Sequence, residues 1–247
     1  MGMKTGSIIE MPFTNNGKAK LNRVMTSHCD GEVWGLEVVE LGKGQTRIIT
    51  SADDNRLLAY DVKSKYALAE GRVDEVGKKK KDKGGYRGGA STMASTSANC
   101  QSRCVAYSAK LKQLAVANNK GTVTIRDVDW DEVDQGIPGS FDKIKKTLFK
   151  DLKKAEWIEC MAFSPCDQYL AVGSHDNTIY LLDTKTYNTK SKTCKLTGHS
   201  SFITALDWAL DSSYIRSVCG AYELLFFNAK TKKRDPKGAS NTQVTVW

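Results

Sequence analysis

Few residues of this chain have a type and spacing that could do chemistry. There are three histidines, His28, His175 and His199, spread widely along it. Ser174, His175 and Asp176 are consecutive. Nucleophilic catalysis assembles such groups in space from separate parts of a fold rather than from neighbours in sequence. Seven cysteines show no CxxC spacing; Cys100 and Cys104 form the nearest pair. With the histidines scattered, a zinc site has no support and none is expected. Phosphate-binding, dinucleotide, GxSxG and HExxH motifs are absent from the sequence. The expectation is a protein that is not an enzyme, with no catalytic or metal-binding residues and no cofactor.

Charge is the other chemical signal. Residues 78–83 hold Lys78, Lys79, Lys80, Lys81 and Lys83 around a single aspartate. They lie within residues 71–99, a Lys-, Gly- and Ser/Thr-rich stretch with nothing to bury, so it is expected to be disordered. Residues 142–154 and 230–238 are also basic, and the whole chain carries +9. These runs fall on connections, where they are either solvated loops or contacts to an acidic partner. The aromatics are not interleaved with them, so nucleic acid is not expected.

These residues must be positioned by strands. WIECMAFSPCDQYLAVGSHDNTIYLLD, residues 157–183, reads as three short strands. They run 158–163, 168–173 and 178–183, joined at Ser164-Pro165-Cys166-Asp167 and at His175-Asp176-Asn177, both rich in turn residues. A lone meander of this kind cannot bury both faces, and copies of it are present. LLAYD ends at Asp61, TVTIRD at Asp127, YLLD at Asp183 and LLFFN at Asn228. The opening strands also correspond: VWGLEV, RCVAYS, ECMAFS and ITALDW. The last two copies are 45 residues apart, a four-stranded blade length.

The expected fold is therefore all-β, a propeller of about four and a half four-stranded blades within a larger, seven-bladed ring. Residues 1–27 supply the outer strands of a preceding incomplete blade, with Thr242–Trp247 as a last outer strand. Blades occupy 28–73, 100–149, 150–197 and 198–247, and 74–99 form the insertion. The ring is expected to continue into further blades of the same or a longer chain; closure with another chain is the alternative.

Bulk properties agree with a globular repeat protein: 40% hydrophobic and 26% charged residues over 247 positions. No apolar run approaches the roughly 18 residues of a spanning helix, and no membrane association is expected. The first residues lack a signal-peptide pattern, and unpaired cysteines suit a reducing cytoplasm.

HCDGEVWGLEV (28–38), LAVGSHDNTIYLLD (170–183), GHSSFITALDW (198–208), RSVCGAYELLFFNAKTKK (216–233) and GASNTQVTVW (238–247) together resemble the echinoderm microtubule-associated protein-like family of WD-repeat proteins. The resemblance spans the chain apart from the lysine-rich insertion. It implies a non-enzymatic scaffold on microtubules, with tubulin and neighbouring microtubule-associated proteins as partners. The implied location is cytoplasmic and cytoskeletal, extending to the cilium and its axonemal doublets. A general WD-repeat adaptor for cytosolic signalling or trafficking complexes is the alternative. In WD repeats a histidine ahead of the inner strand bonds an aspartate in a later turn. His28 and Asp54 fit those posts, with Tyr60 where the repeat tryptophan stands. Asp176 occupies the aspartate post of its blade. His199 occupies the histidine post of the last blade, where Ala221 replaces the aspartate. His175 is expected to be simply exposed.

Overall fold

The computed structural model describes residues 7–10, 22–29, 31–73, 100–137, 139–149, 156–191 and 194–238. Two short strands open it, β1 (Ser7–Glu10) and β2 (Asn22–Thr26), paired antiparallel. Four antiparallel sheets of four strands follow. The first runs β3 (Val33–Glu40), β4 (Thr46–Ala52), β5 (Arg56–Asp61), β6 (Ala67–Arg72). The second runs β7 (Ser102–Ser108), β8 (Gln113–Asn118), β9 (Val123–Asp127), β10 (Ile144–Leu148). The third runs β11 (Ile158–Phe163), β12 (Tyr169–Ser174), β13 (Ile179–Asp183), β14 (Lys195–Leu196). The fourth runs β15 (Ile203–Trp208), β16 (Tyr214–Cys219), β17 (Leu224–Asn228), β18 (Lys233–Arg234). Each sheet is a meander in chain order. This is a partial β-propeller. The outer strand of the last sheet is the two-residue β18. The one expected at 242–247, and the insertion 74–99, lie outside the described residues.

The period of two in a strand explains how one sheet serves two interfaces. On β8, Leu114 and Val116 join Ile49, Leu57 and Val105 between the first and second sheets. Ala115 and Ala117, on the other face, join Leu170, Val172 and Tyr180 between the second and third. Likewise Ile179 and Leu181 of β13 turn to Ile203, Ile215 and Phe227 of the fourth sheet, while Tyr180 and Leu182 turn back. Each such aliphatic side chain contributes about 1.5–3 kcal/mol of burial. Polar ties cross the same interfaces: Tyr187 Oη donates to Gln113 Oε1 at 2.6 Å, and Trp208 Nε1 donates to the Ala162 carbonyl at 3.2 Å.

Two features were not expected from the sequence. The connection from β9 to β10 contains a helix, α1 (Trp130–Asp134), capped by Asp129, whose side chain accepts from the Asp131 N–H. Trp130 and Val133 are buried beside Phe141, and Trp130 Nε1 donates to Tyr107 Oη at 2.8 Å. Arg126 of β9 is fully buried. Its Nη1 donates to the Phe141 carbonyl (2.8 Å), its Nη2 to the Val73 carbonyl (3.0 Å) and its Nε to Thr124 Oγ1 (3.2 Å). One side chain thus joins the end of the first sheet to the second. Replacing Arg126 by Met keeps the volume but strands two buried carbonyls, each costing about 1–3 kcal/mol. Urea denaturation should show at least about 2 kcal/mol lost with an unchanged m-value; a neutral result would show that the guanidinium is dispensable.

Candidate functional site

The site is built at one rim of the propeller. Antiparallel meanders place the approach to each inner strand (β3, β7, β11, β15) at the same rim as the second hairpin of that sheet. His28, just ahead of β3, therefore meets the β4–β5 turn. Its Nδ1 is 2.9 Å from Asp54 Oδ1, and its Nε2 is 2.9 Å from Thr50 Oγ1. The Tyr60 hydroxyl hydrogen-bonds Thr50, so four side chains form one relay joining the approach to β3, the β4–β5 turn and strands β4 and β5. Burial alone would raise the Asp54 carboxyl. Hydrogen bonds from His28 and from the Cys29 and Arg56 N–H groups outweigh it and hold the carboxyl below its usual range. With its lone pairs engaged in this way, the pair is a tie between layers rather than an acid–base couple.

The last sheet repeats the relay with substitutions. His199 Nε2 is 2.7 Å from Ser217 Oγ, the counterpart of Thr50. Phe227 stands where Tyr60 does and packs against the His199 ring instead of bonding. Ala221 cannot accept, and Glu223, two residues on, takes over the role. It accepts from the Ser200 N–H at 2.8 Å as Asp54 does from Cys29, but stays 3.6 Å from His199 Nδ1. That buried nitrogen has no hydrogen-bond partner, and burial depresses the His199 pKa. Asp176 lies in the corresponding turn of the third sheet, where it accepts from the Tyr180 hydroxyl at 2.5 Å and from the Thr178 N–H at 3.1 Å. Lys78, Lys79, Lys80, Lys81 and Lys83 lie outside the described residues.

His175 corrects the expectation of a simply exposed turn residue. Its ring stacks on Phe202 (4.6 Å between centroids, 25°) and tilts against Trp157 at 5.4 Å. Its Nε2 is 3.2 Å from Glu159 Oε2. On the far side of Trp157 the Arg103 guanidinium lies 4.3 Å from that ring and 4.5 Å from the ring of Trp34. Trp34, Arg103, Trp157, His175 and Phe202 thus form one stack reaching all four sheets. Each cation–π contact is worth about 0.5–2 kcal/mol. The sequence shows five unrelated residues; what aligns them is a repeated bulge. Pairing slips between Val33 and Gly35, Ser102 and Cys104, Ile158 and Cys160, and Ile203 and Ala205. The extra residues are Trp34, Arg103, Glu159 and Thr204, and a bulge re-aims its side chain. Three of these four point into or brace the stack. Glycines admit the close approaches. At Gly31, with φ +69°, a Cβ would fall 2.4 Å from that of Asp53, which accepts from Trp34 Nε1. At Gly220 a Cβ would lie 2.6 Å from Phe202 Cε1.

Four-stranded blades joined through their inner strands, with a histidine–aspartate tie from the inner strand to the second hairpin, define a WD-repeat β-propeller. The family model of the echinoderm microtubule-associated protein second β-propeller matches residues 33–247. The chain belongs to that family. A ciliary WD repeat-containing protein, ctxp80, of Euplotoides octocarinatus is 40% identical over the whole chain, which spans 31% of that relative. The 77 kDa echinoderm microtubule-associated protein of Lytechinus variegatus is 43% identical over 93 residues, 37% of this chain and 14% of that protein. Human echinoderm microtubule-associated protein-like 2 is 48% identical over 80 residues, 32% of this chain and 12% of that protein. A crystal structure of the mitotic checkpoint complex contains a chain with the same fold, at a TM-score of 0.58 and 16% identity, covering 89% of this chain and 56% of that one.

Two measurements probe the rim. Asp54→Ala leaves the buried His28 nitrogen unpartnered and should cost about 1–3 kcal/mol. Glu223→Ala should cost less than half as much, since its contact to His199 is already open. Equal losses on denaturation would refute the difference between the two ties. The other concerns Glu37 on β3, half-buried against the second sheet, where burial pushes its carboxyl up to about 7 despite a hydrogen bond from the Tyr107 backbone. The folded state holds this proton where the unfolded chain has lost it, so stability present below about pH 4.5 falls as pH rises to about 7. The loss is on the order of 3 kcal/mol. Glu37→Gln should flatten this part of the stability–pH curve, and an unaltered slope would assign it elsewhere.

Proposed function

We propose that this chain is the propeller portion of a non-enzymatic, microtubule-associated WD-repeat protein that serves as a scaffold in the cytoskeleton, and specifically on ciliary axonemal doublets. The observation that carries the reading is the match to the family's second propeller over 33–247, joined to whole-chain similarity with a relative named as ciliary. The geometry supports a platform: the rim histidines are engaged in ties and a ring stack, and the blades lock through buried inner strands. Its partners in this reading are tubulin and neighbouring microtubule-associated proteins. The folded blades set position, while the lysines at 78–83 add affinity to acidic surfaces.

Co-sedimentation with taxol-stabilised microtubules, with and without the acidic tubulin tails, tests this. Exposed charge pairs contribute about 0.2–1 kcal/mol each. Changing Lys78, Lys79, Lys80, Lys81 and Lys83 to Ala should therefore weaken binding about tenfold or more and make its salt dependence shallower. Failure of the unaltered protein to pellet with microtubules would overturn the assignment in favour of a cytosolic adaptor.

A further inference from the structure

The last sheet differs from the others at two neighbouring posts. The residue of the second strand that pairs with the first residue of the inner strand is Ala52, Asn118 or Ser174 in the first three sheets. In the fourth it is Cys219. Glu223, at the end of the turn that follows, stands beside it, and His199 faces both from the approach to β15. One ligand atom of each, His199 Nδ1, Cys219 Sγ and a Glu223 carboxylate oxygen, lies within 4.8 Å of the other two. The set has no spacing signature in the sequence, because a strand pairing and a turn bring its members together.

Its geometry is wrong for a hydrogen-bonded tie and right for an ion. In the first sheet a proton bridges His28 Nδ1 and Asp54 Oδ1 across 2.9 Å. In the last, His199 Nδ1 stands 3.6 Å from Glu223 Oε2, too long for such a bond. That nitrogen has no hydrogen-bond partner, although only 1% of its side chain is exposed. A buried polar atom left in this way is costly, and this one is aimed at a carboxylate and a thiol. With bonds of about 2.0–2.3 Å, two ligands of a tetrahedral zinc ion stand about 3.3–3.6 Å apart. The His199–Glu223 separation of 3.6 Å and the Cys219 Sγ–Glu223 Oε2 separation of 3.3 Å match that spacing. The widest gap is at most 4.8 Å, which the thiol can close by turning about its one side-chain bond.

The supporting groups are also in place. Ser217 Oγ, 2.7 Å from His199 Nε2, is placed to accept from it and leave the lone pair on Nδ1, as the outer partners of ligating histidines do. The Ser200 N–H holds Glu223 Oε2 at 2.8 Å. Imidazole, thiolate and carboxylate together suit zinc and not calcium or magnesium, which take oxygen ligands. Thiolate and carboxylate cancel the charge of the ion, so Arg234, the cation near His199, meets a neutral site.

We propose that His199, Cys219 and Glu223 bind a zinc ion, with a fourth position open to water on the half-exposed Glu223 side. Binding forms one bond each from nitrogen, sulfur and oxygen to the ion. The Cys219 thiol, which donates to Glu223 Oε2, gives up its proton to solvent. The ion joins the approach to β15 to the β16–β17 turn and closes the tie that Ala221 leaves open. This goes beyond the microtubule reading and does not depend on it.

The test is titration of the full chain, stripped with a chelator, with zinc against a chromophoric competitor and with cobalt followed by absorption. One ion should bind per chain with release of about one proton, and cobalt should show a sulfur-to-metal charge-transfer band. Glu223→Gln and Cys219→Ser should each weaken zinc at least about tenfold, and Ser217→Ala about tenfold. Cys29→Ser, which removes the exposed thiol beside the first-sheet tie, should change nothing. Zinc should raise the melting midpoint of the parent but not of Glu223→Gln, a half-exposed site that carries the test even if Cys219→Ser fails to fold. In chelator Glu223→Ala remains the mild change described above. Absence of the charge-transfer band, or zinc affinity retained in Glu223→Gln, overturns the proposal. Several ions per chain, reduced in number by Cys29→Ser, would mark adventitious binding to thiols only and overturn it as well. So would displacement of zinc by an equal concentration of calcium or magnesium.

Discussion

A four-stranded sheet with short strands has two faces to bury, and among the described residues no helix is large enough to cover either. Everything else follows from this constraint. Strands β8, β12 and β13 are apolar at nearly every position, which a sheet with one wet face would not tolerate. Alternate residues send their side chains to the sheet before and the sheet after, so each blade is the lid of two cores. The interior is accordingly a row of interfaces, and the stability of any blade depends on its neighbours.

Blades stacked by apolar contact alone could slide. The ring stack at one rim and the Arg47 bridge at the other cross the blade boundaries and fix their register. Arg47 of β4 donates to Asp61 in its own sheet and to Asp134 at the end of α1 in the next, with only 7% of its side chain exposed. The bulges do related work. One extra residue at the same place in each inner strand would be an irregularity in a single sheet. Repeated four times, it carries Trp34 and Arg103 out of the ladder to meet across a blade boundary.

Much of this was legible in the sequence. The repeat, its closing residues and its strand limits came through because alternation and turn residues are local signals; β12 and β13 start only one residue later than expected. The His28–Asp54 tie was legible because both partners occupy fixed posts. What escaped was whatever depends on the third dimension. Glu223, two residues beyond Ala221, accepts the Ser200 N–H without closing on His199, a substitution of partner that no motif announces. His175 resembles an exposed turn residue until β11 and β15 bring Trp157 and Phe202 to its two faces. Helix α1 is short, with few residues to report periodicity, although Asp129 before Asp131 and Glu132 is a capping signal that could have been read. The slips of register have no signature in residue type.

One further property follows from Arg126. Val73 and Cys100, which bracket residues 74–99, are both buried in the same cluster. Val73 is held there by its carbonyl on Arg126 and its N–H on the Asn55 carbonyl, and Cys100 by the amide of Asn118. The two ends are thus fastened independently of whatever chain joins them. This makes the junction a socket: its contents can lengthen, shorten or change charge over evolutionary time without disturbing the blades on either side. Selection can then tune that segment at a different pace from the scaffold that holds it.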